Sequence, residues 1–250
     1  MFELNGKAIL VTGASRGIGA ATARLITDAG GRALIHASSE SEALLELAAA
    51  INAPPGDILV EDLAAADAGC RLGQRAVAAA GRLDAVVNNA GVYLSSSLSG
   101  PLAEWRAGWD RTMAINVTAP ADICRTAIEH FRKTGGGRII NIASRAGHRG
   151  DGPDGGAYAA SKGAVLAMTK TWARALAGEN ILLYAIAPGW VETRMAPKDI
   201  EDRRKAVAEI PIGRVAQPEE IAALAVFLLS DACQSATGST FDVNGASYVR

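Results

Sequence analysis

The sequence predicts an α/β fold, a doubly wound parallel sheet of about seven strands with helices on both faces, and three observations lead there. Short apolar, β-branched runs at 7–12, 32–37, 57–61, 85–88, 138–142 and 182–186 alternate with longer stretches rich in Ala, Leu and charged residues. Those runs are almost continuously apolar, as strands buried on both faces are. The stretches between them, 17–29, 41–51 and 68–80 among others, are long enough for helices and suit right-handed crossovers.

With 250 residues, 49% of them hydrophobic and 20% charged, the chain can bury a sizeable core. No internal repeat, low-complexity linker or Pro/Gly/Ser-rich boundary divides it, so one domain spanning 1–250 is expected. A net charge of -1 gives no field for nucleic acid or an anionic membrane, and 5% aromatic residues leave no basic stripe interleaved with aromatics. No window approaches the ~20 apolar residues that cross a bilayer; the Ala-rich stretch 64–80 is interrupted by Asp67, Arg71, Gln74 and Arg75. Cys70, Cys124 and Cys233 are widely spaced, without a C-x-x-C pair or a neighbouring histidine. No metal site is expected from them, and a reducing compartment is. The first residues carry no basic-then-apolar leader, so a cytoplasmic location is expected. Two segments read as loops beside a site. One is 145–156, with five glycines and a proline; the other is 193–210, polar and following Pro188-Gly189, expected to be a mobile substrate lid.

The run at 7–12 ends in Thr12-Gly13-Ala14-Ser15-Arg16-Gly17-Ile18-Gly19 and passes directly into a helical stretch. Glycines there permit a tight turn and let a pyrophosphate approach backbone N–H groups at the positive end of a helix dipole. Taken alone it could be an ordinary strand-to-helix turn, but it lacks the Gly-Lys-Ser/Thr ending of a P-loop. At the end of the second run, Ala33-Leu34-Ile35-His36-Ala37-Ser38-Ser39 carries no acid before Glu40. In NAD enzymes of this architecture a carboxylate there binds the adenosine ribose, and it would repel a 2′-phosphate. Its absence, with Ser38 in its place and the Arg16 guanidinium nearby, points to NADP(H) ahead of NAD(H). The alternative is that Arg16 pairs with a surface carboxylate while Ser38 and Ser39 cap the next helix.

Tyr158-Ala159-Ala160-Ser161-Lys162 puts a phenol and an ammonium at i and i+4, one face of a helix with Cβ atoms about 5–6 Å apart. That spacing also describes any amphipathic helix. It gains weight from its company: Ser144 just past an apolar run, Asn116 within Ala114-Ile115-Asn116-Val117, and Asn88-Asn89-Ala90-Gly91 after the fourth run. Taken singly, Ser144 and Asn116 could be a helix cap or a turn residue.

In this order, from the first strand to the C-terminus, these residues resemble the short-chain dehydrogenase/reductase family, most closely its 3-oxoacyl-acyl-carrier-protein reductase-type members. The resemblance implies a single-domain Rossmann fold and an enzyme acting on CH–OH or C=O with a nicotinamide cofactor. It implies a catalytic tetrad of Asn116, Ser144, Tyr158 and Lys162. Around the cofactor it places Gly13, Ser15, Arg16, Gly17, Ile18 and Gly19 in the turn, with Asp62 and Leu63 at the adenine. Asn89, Ala90 and Gly91 follow the fourth strand, and Pro188, Gly189, Val191 and Thr193 flank the nicotinamide, with Tyr158 and Lys162 also in contact. It implies a homo-oligomer, tetramer or dimer, built through two long helices, here 105–131 and 158–176, and a C-terminal strand within 238–250.

The chemistry suits these residue types. Hydride addition to a carbonyl leaves an oxyanion that must gain a proton, and Tyr158 is expected to donate it. A free phenol of pKa about 10 suits alcohol oxidation poorly near neutrality, and the Lys162 ammonium together with the charge of oxidised nicotinamide is expected to lower it. Ser144 would hold the substrate oxygen. In the family Asn116 kinks its helix and holds a water linking Lys162 to solvent. The substrate is expected to be a carbonyl or secondary alcohol, with a 3-oxoacyl thioester as one candidate. An acidic carrier protein would need a basic rim, which Arg132, Lys133, Arg138, Arg145 and Arg174 could supply, although Glu179 stands where a cation would help. A small polar alcohol, such as a polyol or sugar derivative, is the alternative, and the charged 145–156 loop is either its reader or a solvated surface loop. From another class, a non-catalytic NADP(H)-binding sensor is the alternative, and the intact Tyr158 and Lys162 argue against it. His148 is a second acid/base candidate, whereas His36 and His130 show no partner pattern and take no role.

Overall fold

The computed structural model describes residues 2–196 and 199–250. The six apolar runs become β1 (Ala8–Val11), β2 (Arg32–Ala37), β3 (Ile58–Val60), β4 (Ala85–Asn88), β5 (Gly137–Ile142) and β6 (Ile181–Pro188), and β7 (Thr240–Val243) follows near the C-terminus. All seven pair in parallel, in the order β3-β2-β1-β4-β5-β6-β7. The order reverses between β1 and β4, where crossovers diverge to opposite faces and leave a crevice at the carboxyl ends of the strands.

The strands bury both faces. Ile9 and Val11 of β1 join Ile35, Ile140 and Val226 in one core cluster, while Ala8 and Leu10 join Leu34, Val86, Ile123 and Phe131 in the other. One layer of helices is formed by α1 (Gly17–Asp28), α2 (Glu42–Ala50) and α9 (Pro218–Leu229); the other is formed by α3 (Ala68–Ala80), α4 (Leu102–Met113), α5 (Ala119–Thr134) and α7 (Gly156–Leu176). The Ser41 hydroxyl caps α2 by accepting the Leu44 N–H at 3.3 Å. Ser38 and Ser39 are exposed and are not its caps. Near the far end of β2 the buried Asp57 carboxylate takes two hydrogen bonds from Arg32, at 2.7 and 2.6 Å.

Two of the expected loops hold helices. The segment 145–156 contains α6 (Ala146–Arg149), and 193–210 contains α8 (Ile200–Ala208). Asp199 Oδ1 accepts the Glu201 and Asp202 N–H groups at 2.9 and 3.2 Å, and Arg203 pairs with Glu192. A polar composition suggested a loop, yet those polar groups are the cap and the ion pair that hold a solvent-facing helix. Pro197 and Lys198 of the expected lid lie outside the described residues.

Candidate active site

The glycine-rich turn leaves β1 at the switch point and enters α1 with no side-chain cap on the first turn of the helix. The free N–H groups there are suited to an anion. Gly13 adopts φ +64, and a Cβ on it would lie 2.9 Å from Ala90 Cα; one on Gly19 would lie 2.4 Å from the Gly13 carbonyl oxygen. Side chains at these positions would push the two crossovers apart. Thr12, at the end of β1, closes the same junction: its Oγ1 accepts the N–H groups of Asn89 and Ala90, each at 3.0 Å. Asn89 Nδ2 in return donates to the carbonyls of Thr12 and Gly13, at 2.8 and 3.1 Å. The turn and the Asn88-Asn89-Ala90-Gly91 segment thus form one unit.

The other cofactor candidates lie around this unit and across the crevice. Ser15, Gly17 and Ile18 are part-exposed in the turn, and Arg16 is exposed and in no ion pair among the described residues. The alternative in which a surface carboxylate holds Arg16 is not what the structure has. Ser38 is exposed at the end of β2, while Asp62 and the buried Leu63 follow β3. Across the crevice, the Pro188 carbonyl accepts the Arg145 N–H at 2.9 Å and Gly189 N–H donates to Val243 at 3.0 Å. Val191 is buried, and Thr193 reaches back so that its methyl would lie 3.0 Å from a Cβ placed on Gly17.

Two of the tetrad candidates, Asn116 and Lys162, meet beside Gly91. Asn116 sits in a π turn, residues 114–118, between α4 and α5, so the long helix expected there is interrupted where the resemblance implies a kink. Its amide grips Val92 at both ends: Oδ1 accepts the Val92 N–H and Nδ2 donates to the Val92 carbonyl, each at 2.9 Å. Nδ2 also donates to Ser161 Oγ at 3.0 Å. Lys162, on α7, is 4% exposed and donates from Nζ to the Ile142 carbonyl at 2.8 Å. A Cβ on Gly91 would lie 3.4 Å from both Lys162 Nζ and Asn116 Oδ1, in van der Waals contact with each. Lys162 Nζ lies 5.7 Å from the centroid of the Tyr158 ring, and the Tyr93 ring packs 5.3 Å from Tyr158 on the side of the 145–156 segment. Ser144 follows β5, its hydroxyl accepting the Ala146 N–H at 3.1 Å.

Burial sets the acid–base properties. It pulls the Lys162 ammonium down to about 8. It also raises the Tyr158 pKa, with Ser144 easing it down and the Asp151 and Tyr93 charges adding to the rise. Desolvation is the largest influence on the Tyr158 hydroxyl, and it runs against the lowering expected from Lys162.

Three features escaped the sequence. His36 is buried and bridges Gly13 N–H and the Glu61 carbonyl, at 3.2 and 2.9 Å; its one signal was a polar residue inside an apolar strand. His148 stacks on Tyr248 and lies 4.0 Å from Asp242, so its contacts are with the C-terminal segment. The candidate basic rim is largely paired: Arg132 donates twice to Glu179, at 2.6 and 3.0 Å, Arg138 binds Asp231 at 2.6 Å, and Arg145 is buried against Trp190 and Ser247. Among the described residues no three His, Cys, Asp or Glu side chains are grouped to hold a metal ion, and no helix is long and apolar enough to cross a membrane.

A family model described as "Enoyl-(Acyl carrier protein) reductase" matches residues 13–246. The chain is 36% identical to the 3-oxoacyl-[acyl-carrier-protein] reductase of Thermotoga maritima over 97% of its own length and 98% of that protein's. It also superposes on two solved structures. One is a 3-oxoacyl (acyl-carrier-protein) reductase from Agrobacterium tumefaciens with NADP bound, at TM-score 0.88 and 33% identity, covering 98% of this chain and 95% of the other. The second is a short chain dehydrogenase from Burkholderia cenocepacia in complex with NADP, at TM-score 0.89 and 31% identity, covering 98% and 99%.

Proposed function

The chain belongs to the short-chain dehydrogenase/reductase family, and from that premise we propose that it is an NADP(H)-dependent oxidoreductase interconverting a carbonyl and a secondary alcohol. The observation that carries this is the meeting of Asn116 and Lys162 beside Gly91, with the Tyr158 ring centroid 5.7 Å from Lys162 Nζ and the Ser144 hydroxyl acting on Tyr158. The fit to NADP(H) rests on an uncapped α1, the unpaired Arg16 and the absence of a carboxylate between His36 and Glu40.

When bound, the nicotinamide supplies or takes up the hydride. The protein's part is to hold the substrate oxygen between Ser144 and Tyr158 and to pass a proton through the Tyr158 hydroxyl. Reduction suits a phenol kept protonated by burial, because the developing alkoxide is far more basic than a phenolate. Lys162 offers a buried cation beneath that ring, fixed by the Ile142 carbonyl, and its remaining N–H groups would be available to hold the nicotinamide ribose. Asn116 holds Val92 and Ser161, keeping the segment after Gly91 and α7 in register.

For the substrate, the named relatives support a 3-oxoacyl thioester. The pairing of Arg132 with Glu179 and of Arg138 with Asp231 favours a second reading, in which only Lys133 and Arg174 of the expected rim are exposed cations without an ion pair among the described residues and the substrate is a small polar carbonyl. Absorbance of NADPH, with NADH alongside, against 3-oxoacyl thioesters on coenzyme A and on carrier protein, simple ketones and sugar-derived carbonyls separates them. Faster turnover of the carrier-bound thioester supports the first; turnover confined to polyol or sugar carbonyls supports the second. Tight NADPH binding with no turnover on any of them would return weight to a sensor. We also infer a homo-oligomer, supported by the long α4–α5 and α7 helices and by β7 at the edge of the sheet. A cytoplasmic location is in keeping with three free cysteines.

A further inference from the structure

Strand β2 is apolar at Ala33, Leu34, Ile35 and Ala37, and a polar ring in its midst must find partners or cost the strand stability. His36 is 1% exposed and finds two. Gly13 N–H donates to Nδ1 at 3.2 Å, and Nε2 lies 2.9 Å from the Glu61 carbonyl oxygen. One protonation form serves both: the neutral ring with its proton on Nε2, a lone pair toward the glycine and a hydrogen toward the carbonyl. The backbone adds a third tie, Ala14 N–H donating to the His36 carbonyl at 2.7 Å.

What the ring joins is specific. Gly13 is the first glycine of the turn, where the pyrophosphate would lie, and Glu61 immediately precedes Asp62 and Leu63, the adenine-side pair. We propose that His36 is a positioning residue of the cofactor site, its imidazole fixing the distance between the phosphate-binding turn and the adenosine-binding strand end. The inference rests on the NADP(H) reading above.

Burial, more than the surrounding charge, keeps the ring neutral near pH 7. Burial pushes the His36 pKa down, the Glu61 carbonyl and carboxylate pull it up, and Arg75 pushes it down again. The Glu61 carboxylate is itself shared by Arg71 at 2.6 Å and Arg75 at 3.5 Å from α3, and Asp62 faces Arg111 at 3.7 Å. On the other side β1 is wholly apolar, and in the turn Arg16 is exposed. Protonating the ring would set Nδ1–H against Gly13 N–H, two donors face to face, and release the turn.

The test is NADPH affinity, read by fluorescence, in the parent protein and in two variants. His36→Phe keeps the volume and removes both hydrogen bonds; it is expected to weaken NADPH about tenfold, the effect of one buried hydrogen bond left unmade. The kcat at saturating NADPH should stay near the parental value. His36→Asn keeps an acceptor near the Nδ1 position and should recover most of the loss. A folded His36→Phe that binds NADPH within about twofold of the parent overturns the inference while leaving the cofactor assignment standing. A parent protein that does not bind NADPH removes the cofactor assignment and this inference with it.

Discussion

Lys162 Nζ is buried beneath the Tyr158 ring and has as its protein partner the Ile142 carbonyl, 2.8 Å away. An ammonium so placed is costly: burial alone brings its pKa from 10.5 to about 8, a cost of roughly 3 kcal/mol at neutral pH. Because the unfolded chain keeps that proton between pH 8 and 10.5, the parent protein should grow more stable as pH rises through this window. Lys162→Met should abolish the rise and melt several degrees higher at pH 7, while losing nearly all turnover. Calorimetry at pH 7 and pH 9.5 checks both. A lower melting temperature for Lys162→Met at pH 7 would mean that the ammonium stabilises the fold.

The same titration should appear in kinetics. The second-order constant for NADPH reports the free enzyme, so kcat/KM is expected to fall as pH rises through about 8, where Lys162 loses its charge. A profile flat to pH 9.5 would show that the group controlling cofactor capture is another one.

Tyr158→Phe removes one hydroxyl from a ring held between Tyr93 and Lys162. Turnover should fall by about 10²–10⁴-fold, the usual share of a positioned acid. NADPH binding should change little, because the phenol's proton is needed only in the chemical step. Activity within about tenfold of the parent would take the proton from another group.

Thr12 Oγ1 serves two backbone donors, Asn89 N–H and Ala90 N–H, where the two crossovers meet. Thr12→Val keeps the shape and leaves these two part-buried donors without their acceptor, with an expected loss of about 1–2 kcal/mol in urea unfolding. The loss should be accompanied by weaker NADPH binding, since the glycine turn rests on the same contact. Unchanged stability would mean that water replaces the hydroxyl.

What the sequence made legible was local. The strand 32–37 and the helix 68–80 carry their own patterns and appear with those bounds, and Tyr158 and Lys162 lie one helical turn apart. What stayed hidden depends on residues far along the chain. His36 meets partners 23 and 25 residues away, Thr12 meets Asn89 across 77, and Arg132 meets Glu179 across 47. Composition shows that such groups exist; only the sheet order shows whom they face. The helix α8 stayed hidden for the opposite reason, its surface being so polar that no apolar period marks it, and only the Asp199 cap announces it.

Cofactor choice offers the sharpest test of the charge pattern at the end of β2. Ser38, at the end of β2, and Arg16, in the glycine turn and in no ion pair among the described residues, are both exposed. A carboxylate introduced as Ser38→Asp would stand within a few ångströms of a bound 2′-phosphate. Like charges about 4 Å apart repel by about 1 kcal/mol in water and about 4 at a protein surface. NADPH kcat/KM is therefore expected to fall roughly ten- to several-hundred-fold, with NADH unchanged or improved by the new acceptor for its ribose. Arg16→Ala should lower NADPH alone, by about tenfold, and its effect should shrink as salt rises from 20 to 300 mM, values that bracket a Debye length of about 10 Å. If both variants leave the NADPH/NADH ratio where it was, the phosphate is read elsewhere, and the alanine and serines after β2 say nothing about the cofactor.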